Sequence, residues 1–227
     1  MRIRNPHSAI RNHMRYYPIY LDLKDRSVLV VGGGAIAEGK AQQLVDAGAR
    51  VRVVSPTLTA QLSGLVARGL IEHDPGCFEK GDLKDVFLVI SATDDRAVNE
   101  AVARAASELG LLHNVVDQPS LCNFITPALV TRGELQIGVS TGGASPSLTQ
   151  RVKREVGALI GEEYGELLEI AAEMRAEAKR RIPDFDRRRK VLHEFVESDA
   201  IDLIRAGKPD DARQLAWSLL ENVGQVF

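Results

Sequence analysis

The chain has 227 residues, 44% of them hydrophobic and 26% charged, with a formal net charge of −2. This length accommodates one full domain and a smaller one, while the balanced charge argues against a nucleic-acid coat or a membrane-surface protein, so an anionic partner has to be met by a local patch. No apolar run approaches the roughly 18 residues that span a bilayer, and Cys77 and Cys122 lack the spacing of a zinc site or disulfide framework, which leaves them as small buried apolar residues.

Residues 1–15 are basic and polar without the apolar stretch of a secretory signal, so they read as a disordered extension, with Met14 as an alternative start and the cytoplasm as the expected location. From Ile19 to Asn114, short β-branched runs alternate with helical periodicity, the pattern of a parallel sheet covered by helices on both faces. Strands are expected at Val28–Val31, Val51–Val54, Leu70–His73, Phe87–Ser91 and Leu112–Val116. Helices are expected at Ala35–Ala47, Thr57–Arg68 and Ala97–Leu109, the last capped by Asp94-Asp95. Phe124–Val130 and Glu134–Ser140, separated by Thr131-Arg132-Gly133, read as a β-hairpin. Ser145 then caps a helix with Pro146 in its first position, and Leu148, Val152, Val156, Leu159 and Ile160 follow helical spacing. Helical patterns at Glu163–Arg181, Asp186–Val196, Asp199–Ala206 and Asp210–Asn222 complete an all-helical tail.

The most informative segment is Ser27-Val-Leu-Val-Val-Gly-Gly-Gly-Ala-Ile-Ala-Glu-Gly-Lys40, an apolar strand running into glycines and then a helix. Against the G-x-G-x-x-G/A dinucleotide fingerprint, Gly32 permits the tight turn, Gly34 lets the backbone approach a pyrophosphate, and Ala37 packs the helix close to the strand. The helix N-terminus then offers free N–H groups and a partial positive charge to phosphates. Ser91-Ala-Thr-Asp-Asp95 and His113-Asn-Val-Val-Asp-Gln-Pro119 end two further strands, which places Asp94, Asn114 and Asp117 on the same carboxyl rim. There Asp117 is either a turn residue or a carboxylate that accepts a proton while a nicotinamide accepts a hydride. The acidic residue usual about 20 positions after the glycines is missing, because the second strand ends Val53-Val-Ser-Pro56. Ser55 and the backbone near Thr57 are left for the ribose; the missing acid leaves NADP open, with Arg52 available to a 2′-phosphate, although Arg52 reads first as an ordinary strand residue at a solvated end.

With these motifs, Phe124-Ile-Thr-Pro127 and Ser140-Thr-Gly-Gly-Ala-Ser-Pro146 in order, the chain from about Pro18 to at least Arg189 closely resembles the precorrin-2 dehydrogenase family, which includes the dehydrogenase/ferrochelatase portion of sirohaem synthase. The resemblance implies NAD-dependent oxidation of precorrin-2 to sirohydrochlorin, with Fe²⁺ insertion as a second activity in bifunctional members. It implies Asp117 as the catalytic aspartate, Ala35 and Ile36 at the pyrophosphate, Pro56 and Thr57 on the adenosine side, and Ala92, Thr93, Asp94 and Asn114 around the rest of the dinucleotide. Thr141 matches a position near the substrate where some members carry serine. The resemblance further implies a homodimer built on the hairpin and the helix from Pro146, with an active site that needs both chains.

The implied organisation is an α/β, Rossmann-like NAD-binding domain over 16–120, a dimerisation segment over 121–160 and a helical C-terminal domain over 161–227. The uroporphyrinogen methyltransferase part of fused synthases is not expected. A carboxylate-rich tetrapyrrole calls for local cations, and Arg151, Lys153 and Arg154, which follow the Gly-rich loop containing Gly142, and the run Arg187-Arg-Arg-Lys190 are the candidates, although such runs also serve as solvated helix faces. His7, His13, His73, His113 and His193 are scattered without metal-ligand spacing, and His113 reads as a packing or surface residue. The rival from another class is a module that binds NAD or a tetrapyrrole without turnover.

Overall fold

The structure, a computed structural model, describes residues 15–224; the expected extension, apart from Arg15, and the alternative start at Met14 lie outside them. The chain divides into two compact units, Met1–Thr126 and Pro127–Phe227.

The first unit alternates β1 (Ser27–Val31), α1 (Ala35–Asp46), β2 (Arg50–Val54), α2 (Ala60–Ala67), β3 (Ile71–Asp74), β4 (Leu88–Ser91), α3 (Arg96–Glu108) and β5 (Leu112–Val115). All five strands are parallel, in the order β3-β2-β1-β4-β5. Helices cover both faces, so successive strand residues are apolar and buried on opposite sides. Val28 and Val30 join Val51, Val53, Leu88 and Ile90 beneath Ala37, Ala41 and Leu44 of α1 and Leu62 and Leu65 of α2. Leu29, Val31, Val54 and Val89 point the other way, against Val102, Ala105 and Ala106 of α3. This is the Rossmann-like α/β layering expected from the sequence.

Two local readings are corrected. The helix expected from Thr57 starts at Ala60, because Thr59 is extended and its Oγ1 accepts from the Leu62 N–H, while residues 55–58 form a loop. Asp95, not Asp94, caps α3, its carboxylate accepting from Ala97 and Val98 N–H groups.

The second unit opens with the antiparallel hairpin β6 (Ala128–Arg132) and β7 (Leu135–Val139). Thr131 and Arg132, expected in the loop, are ladder residues paired with Gln136 and Leu135. The turn is Gly133-Glu134, with Gly133 at φ 55, a conformation few other residues adopt without strain. Helix α4 (Pro146–Leu159) begins as expected: the Ser145 hydroxyl accepts from the Leu148 N–H and Pro146 occupies the first turn. Helices α5 (Glu163–Arg181), α6 (Phe185–Val196), α7 (Ala200–Arg205) and α8 (Pro209–Gly224) follow. They enclose their own core of Ile170, Met174, Ala178, Val191, Phe195, Ala212 and Ala216. Helix α4 differs from them: none of its residues is buried, and Leu148 and Leu159, about three turns apart on one face, are 49% and 75% exposed.

Among the described residues, no helix is long and apolar enough to cross a membrane.

Candidate functional site

Strand register decides which loops meet. Val31 pairs with Val54 on one side and Ser91 on the other, and Ser91 pairs with Val115. One line across the sheet therefore ends β2, β1, β4 and β5, and the loops beginning at Ser55, Gly32, Ala92 and Val116 leave from the same carboxyl edge. The order reverses between β1 and β4, the switch point at which open α/β sheets hold ligands. Gly32, Gly34, Ala35, Ile36, Ser55, Pro56, Thr57, Ala92, Thr93, Asp94, Asn114 and Asp117 are all brought to this edge, while Ala37 is buried behind it against the sheet.

The three glycines are glycine for different reasons. Gly32 sits at φ 120 with its N–H donated to the Val54 carbonyl, and a Cβ there would lie 2.8 Å from the Ala92 carbonyl carbon and nearer still to its oxygen. Gly33, which the fingerprint leaves unspecified, is equally constrained: a Cβ would lie 2.7 Å from Ser55 Oγ and closer to the Thr57 carbonyl oxygen. Gly34 has ordinary backbone angles, φ −85 and ψ −176, and a Cβ there would meet nothing within 4 Å. The fold gives no reason for glycine at this position; the open space lies at the N-terminus of α1, which no side chain caps. Thr59, Asp95, Ser145 and Asp184 cap α2, α3, α4 and α6, whereas α5 and α7, like α1, have no side-chain cap. A polar, negatively charged group approaching backbone N–H donors fits such a cradle.

The loop after β2 is fastened to the glycines. Ser55 is buried and its hydroxyl donates to the Thr57 carbonyl at 2.8 Å; the Thr59 N–H donates to the Gly33 carbonyl, and Thr59 Oγ1 donates to Glu38 of α1 at 2.6 Å. Arg52 corrects the expectation of a solvated strand residue. Its guanidinium is only 24% exposed, ion-paired with Asp74 and near Asp82 at 3.5 Å, and it donates to the Asp82 carbonyl.

On the other side, Ser91 and Asn99 form a buried pair at 2.7 Å, and the Asn99 amide donates to the Thr93 carbonyl, which fixes the loop containing Ala92 and Thr93. Asp94 is exposed. The Asn114 amide is buried and donates to the Phe124 carbonyl at 3.0 Å. Cys122 takes part in the same link: its Sγ accepts from the Val115 N–H and lies 3.2 Å from the Val115 and Gln118 carbonyls. Neither cysteine is the buried apolar residue expected, since Cys77 is exposed and Cys122 is half-buried within this network. Burial pushes the Cys122 thiol up from its ordinary value, against the lowering effect of the Val115 bond. His113 is a packing residue, as expected: it is 6% exposed, with its ring nitrogens near the Leu111 carbonyl and the Ser107 hydroxyl.

Asp117 is exposed in a left-handed conformation, φ 60, just beyond β5. Lys40, on α1, is half-buried. The Lys40 ammonium donates to Thr126 Oγ1 at 3.1 Å. Burial pushes its pKa below the ordinary 10.5, while the Asp117 charge acts in the opposite sense. Sequence reasoning missed both Lys40 and Thr126, because neither belongs to a local pattern that points at Asp117.

Thr141, Gly142, Arg151 and Arg154 belong to the second unit. Thr141 Oγ1 organises its own loop, accepting from the Ser145 N–H at 3.1 Å and lying 3.0 Å from the Thr149 hydroxyl. Gly142 has φ 64. Arg151 pairs with Glu155 on its own helix at 2.8 Å, and Arg154 is exposed. In the tail run, Arg188 donates to the carbonyls of Ile182 and Pro183, and Arg189 lies 3.7 Å from Asp186. Among the described residues, no group of three or more His, Cys, Asp or Glu side chains is arranged to hold a metal ion.

Family models match nearly all of this architecture: an NAD(P)-binding model over residues 19–128, the sirohaem biosynthesis protein central region over 132–159, and the sirohaem synthase dimerisation region over 163–220. The siroheme synthase of Thioalkalivibrio sulfidiphilus is 42% identical over 92% of the chain, and that of Methylococcus capsulatus 41% over 89%. The chain spans 42% and 43% of the lengths of these two relatives. Among solved structures, SirC, a precorrin-2 dehydrogenase, superposes with a TM-score of 0.77 at 32% identity, covering 89% of this chain and 100% of SirC. With 89% of its length superposing on the whole of the SirC chain at 32% identity, and with family models matching its successive regions, this chain belongs to the precorrin-2 dehydrogenase and sirohaem synthase family.

Proposed function

We propose that the chain catalyses the NAD-dependent oxidation of precorrin-2 to sirohydrochlorin, in the cytoplasm and as a homodimer. The observation that carries this reading is the match to the whole length of SirC, joined to a glycine turn whose open position at Gly34 has no use within the fold itself.

The residues present fit a dinucleotide. Gly34, Ala35 and Ile36 would hold the pyrophosphate at the uncapped start of α1, with Gly32 making the turn and Ala37 packing the helix on the sheet; Ser55, Pro56 and Thr57 would flank the adenosine, and Ala92, Thr93, Asp94 and Asn114 the remainder. When bound, the nicotinamide supplies a hydride acceptor. NAD is favoured over NADP because Arg52, the cation nearest in sequence to the ribose position, is committed to Asp74 and Asp82 and is not offered to a 2′-phosphate.

The oxidation removes a hydride and a proton from the macrocycle, so the protein has to take up the proton. We assign this to Asp117, which is exposed on the same rim as the glycine turn, with its carboxylate oxygen accepting the proton. Thr141, Gly142, Arg151 and Arg154 are proposed to meet the substrate, with the arginine forks suited to its carboxylates. The homodimer is supported by the match to the dimerisation region and by the uncovered leucine face of α4.

The decisive test is anaerobic turnover of precorrin-2 with NAD by Asp117→Ala. Loss of a general base lowers kcat by about 10²–10⁴-fold, with NAD binding retained; wild-type turnover would overturn the assignment. The curated relatives' names favour a second activity, insertion of Fe²⁺ into sirohydrochlorin. In that reaction the iron is substrate, held by the macrocycle nitrogens, and Asp117 receives the displaced protons. Adding Fe²⁺ and sirohydrochlorin without NAD distinguishes it.

A further inference from the structure

We propose that Cys122 is a positioning residue for Asp117, clasping both ends of the turn that carries it. The turn closes where the Gln118 N–H donates to the Val115 carbonyl at 3.2 Å, and Asp117 sits inside it at φ 60. Left-handed backbone is unfavourable for a residue with a Cβ, although aspartate bears it better than most, and it persists where the surroundings enforce it. Cys122 Sγ supplies that enforcement. It accepts from the Val115 N–H at 3.2 Å and lies 3.2 Å from both the Val115 and the Gln118 carbonyl oxygens, so its S–H donates to one end of the turn or the other. Burial raises the thiol above its ordinary value, which keeps that donor protonated at neutral pH.

The sulfur is itself held against the sheet. Asn123, the next residue, donates its N–H to the His113 carbonyl, accepts from the His113 N–H at 2.8 Å and gives its side-chain amide to the Leu111 carbonyl at 2.8 Å. The Asn114 amide fixes the Phe124 carbonyl at 3.0 Å. Residues 122–124 are thereby fastened to the edge of β5, and the connection between them, with Asp117 exposed on it, is pinched at its base by the thiol. A hydrogen bond at one end alone would leave the turn free to swing; a sulfur that reaches both ends fixes the direction in which the Asp117 side chain leaves the backbone. Placement within about 1 Å governs how well a base meets its proton, so the clasp acts on kcat.

The role rests on the reading of Asp117 as the proton acceptor, and the experiment separates the two. Cys122 has extended backbone, φ −120 and ψ 139, which valine adopts readily, so Cys122→Val removes the hydrogen bonds of the thiol while keeping its bulk. In anaerobic turnover of precorrin-2 with NAD it is expected to lower kcat about 10- to 100-fold while the KM for NAD changes less than about threefold. Cys122→Ser, which keeps a donor and an acceptor, is expected to recover most of that loss. The second readout is amide hydrogen exchange followed by NMR in the full chain: the Gln118 N–H is expected to exchange at least about tenfold faster in Cys122→Val and to stay protected in Cys122→Ser. Cys122→Ala, which puts no branch beside the Val115 N–H, gives the same readings where valine prevents folding. Unchanged Gln118 exchange overturns the clasp, and so does a loss of kcat that serine leaves uncorrected. Wild-type kcat with faster exchange, beside an inactive Asp117→Ala, overturns the positioning role alone, whereas full turnover in Asp117→Ala overturns the reading on which the role depends.

Discussion

Gly33 and Gly34 are adjacent and chemically identical, yet the same methyl group added to each should have opposite consequences. At Gly33 the new Cβ lies 2.7 Å from Ser55 Oγ and nearer to the Thr57 carbonyl, where a carbon–oxygen contact needs about 3.3 Å. The loop has to retreat by a large fraction of an ångström, disturbing the Thr59 N–H to Gly33 carbonyl bond and the Ser55 to Thr57 bond. Overpacking of this kind costs about 1–3 kcal/mol, and at about 2–4 °C per kcal/mol for a chain of this size Gly33→Ala should melt roughly 2–12 °C below wild type. At Gly34 the Cβ meets nothing and the backbone suits alanine. The stability cost is that of replacing a glycine N-cap, about 0.5–1 kcal/mol. What alanine takes away is the room for a phosphate to reach the helix N–H groups. One charge-assisted hydrogen bond lost is about 1.5–3 kcal/mol, which is about 10- to 150-fold in affinity. Thermal unfolding without nucleotide, paired with calorimetric titration of NAD, separates the two variants. Wild-type NAD affinity in Gly34→Ala, or a melting temperature as low as that of Gly33→Ala, would refute the argument that the open space exists for the ligand.

The dimer assignment predicts that Leu148→Glu with Leu159→Glu leaves each chain folded, because both side chains are already exposed. Burial of a leucine is worth about 1.5–3 kcal/mol, so the dimer should dissociate at least 100-fold more readily in sedimentation velocity; an unchanged dimer would place the interface elsewhere. Lys40→Met should raise stability. Because the folded Lys40 pKa lies below the ordinary 10.5, the unfolded chain holds the proton more tightly between those two values, and stability rises with pH through that window. The penalty is therefore fully present below the folded value and fades as pH approaches 10.5, so Lys40→Met should resist urea better than wild type at pH 7, with the gap closing on the alkaline side. A gap that is constant with pH would show that packing, not charge, distinguishes the variant.

Most of the fold was legible because its signals are local. Val28–Val31 is a run buried on both faces, and its short length, β-branched content and following glycines mark it as an inner strand of a covered sheet. Pro146 behind Ser145 and Thr59 ahead of Leu62 are likewise caps within one turn of what they cap, although a helix expected from Thr57 puts Thr59 inside it. The hairpin turn was misplaced for a related reason. A Thr-Arg-Gly sequence suits a three-residue loop as well as a strand end, and the choice was made by cross-strand pairing of Thr131 with Gln136, which no neighbour of either residue announces.

The candidate site divides along the same line. The carboxyl rim could be read from strand endings, since in a parallel sheet every strand delivers its last residue to one edge and the chemistry-bearing residues follow at once. Two kinds of information were not accessible. Gly33 owes its identity to a carbonyl in a loop beyond the next strand, so the fingerprint treats as free a position that the fold holds most tightly. Lys40 reads as one more polar residue on the flank of an amphipathic helix, and its partner Thr126 lies 86 residues away. A lysine's meaning depends on what stands at the end of a four-carbon stem, and helical periodicity records only where the stem begins. That is why the backbone cradle for a cofactor was visible in the sequence while the Lys40–Thr126 link was not.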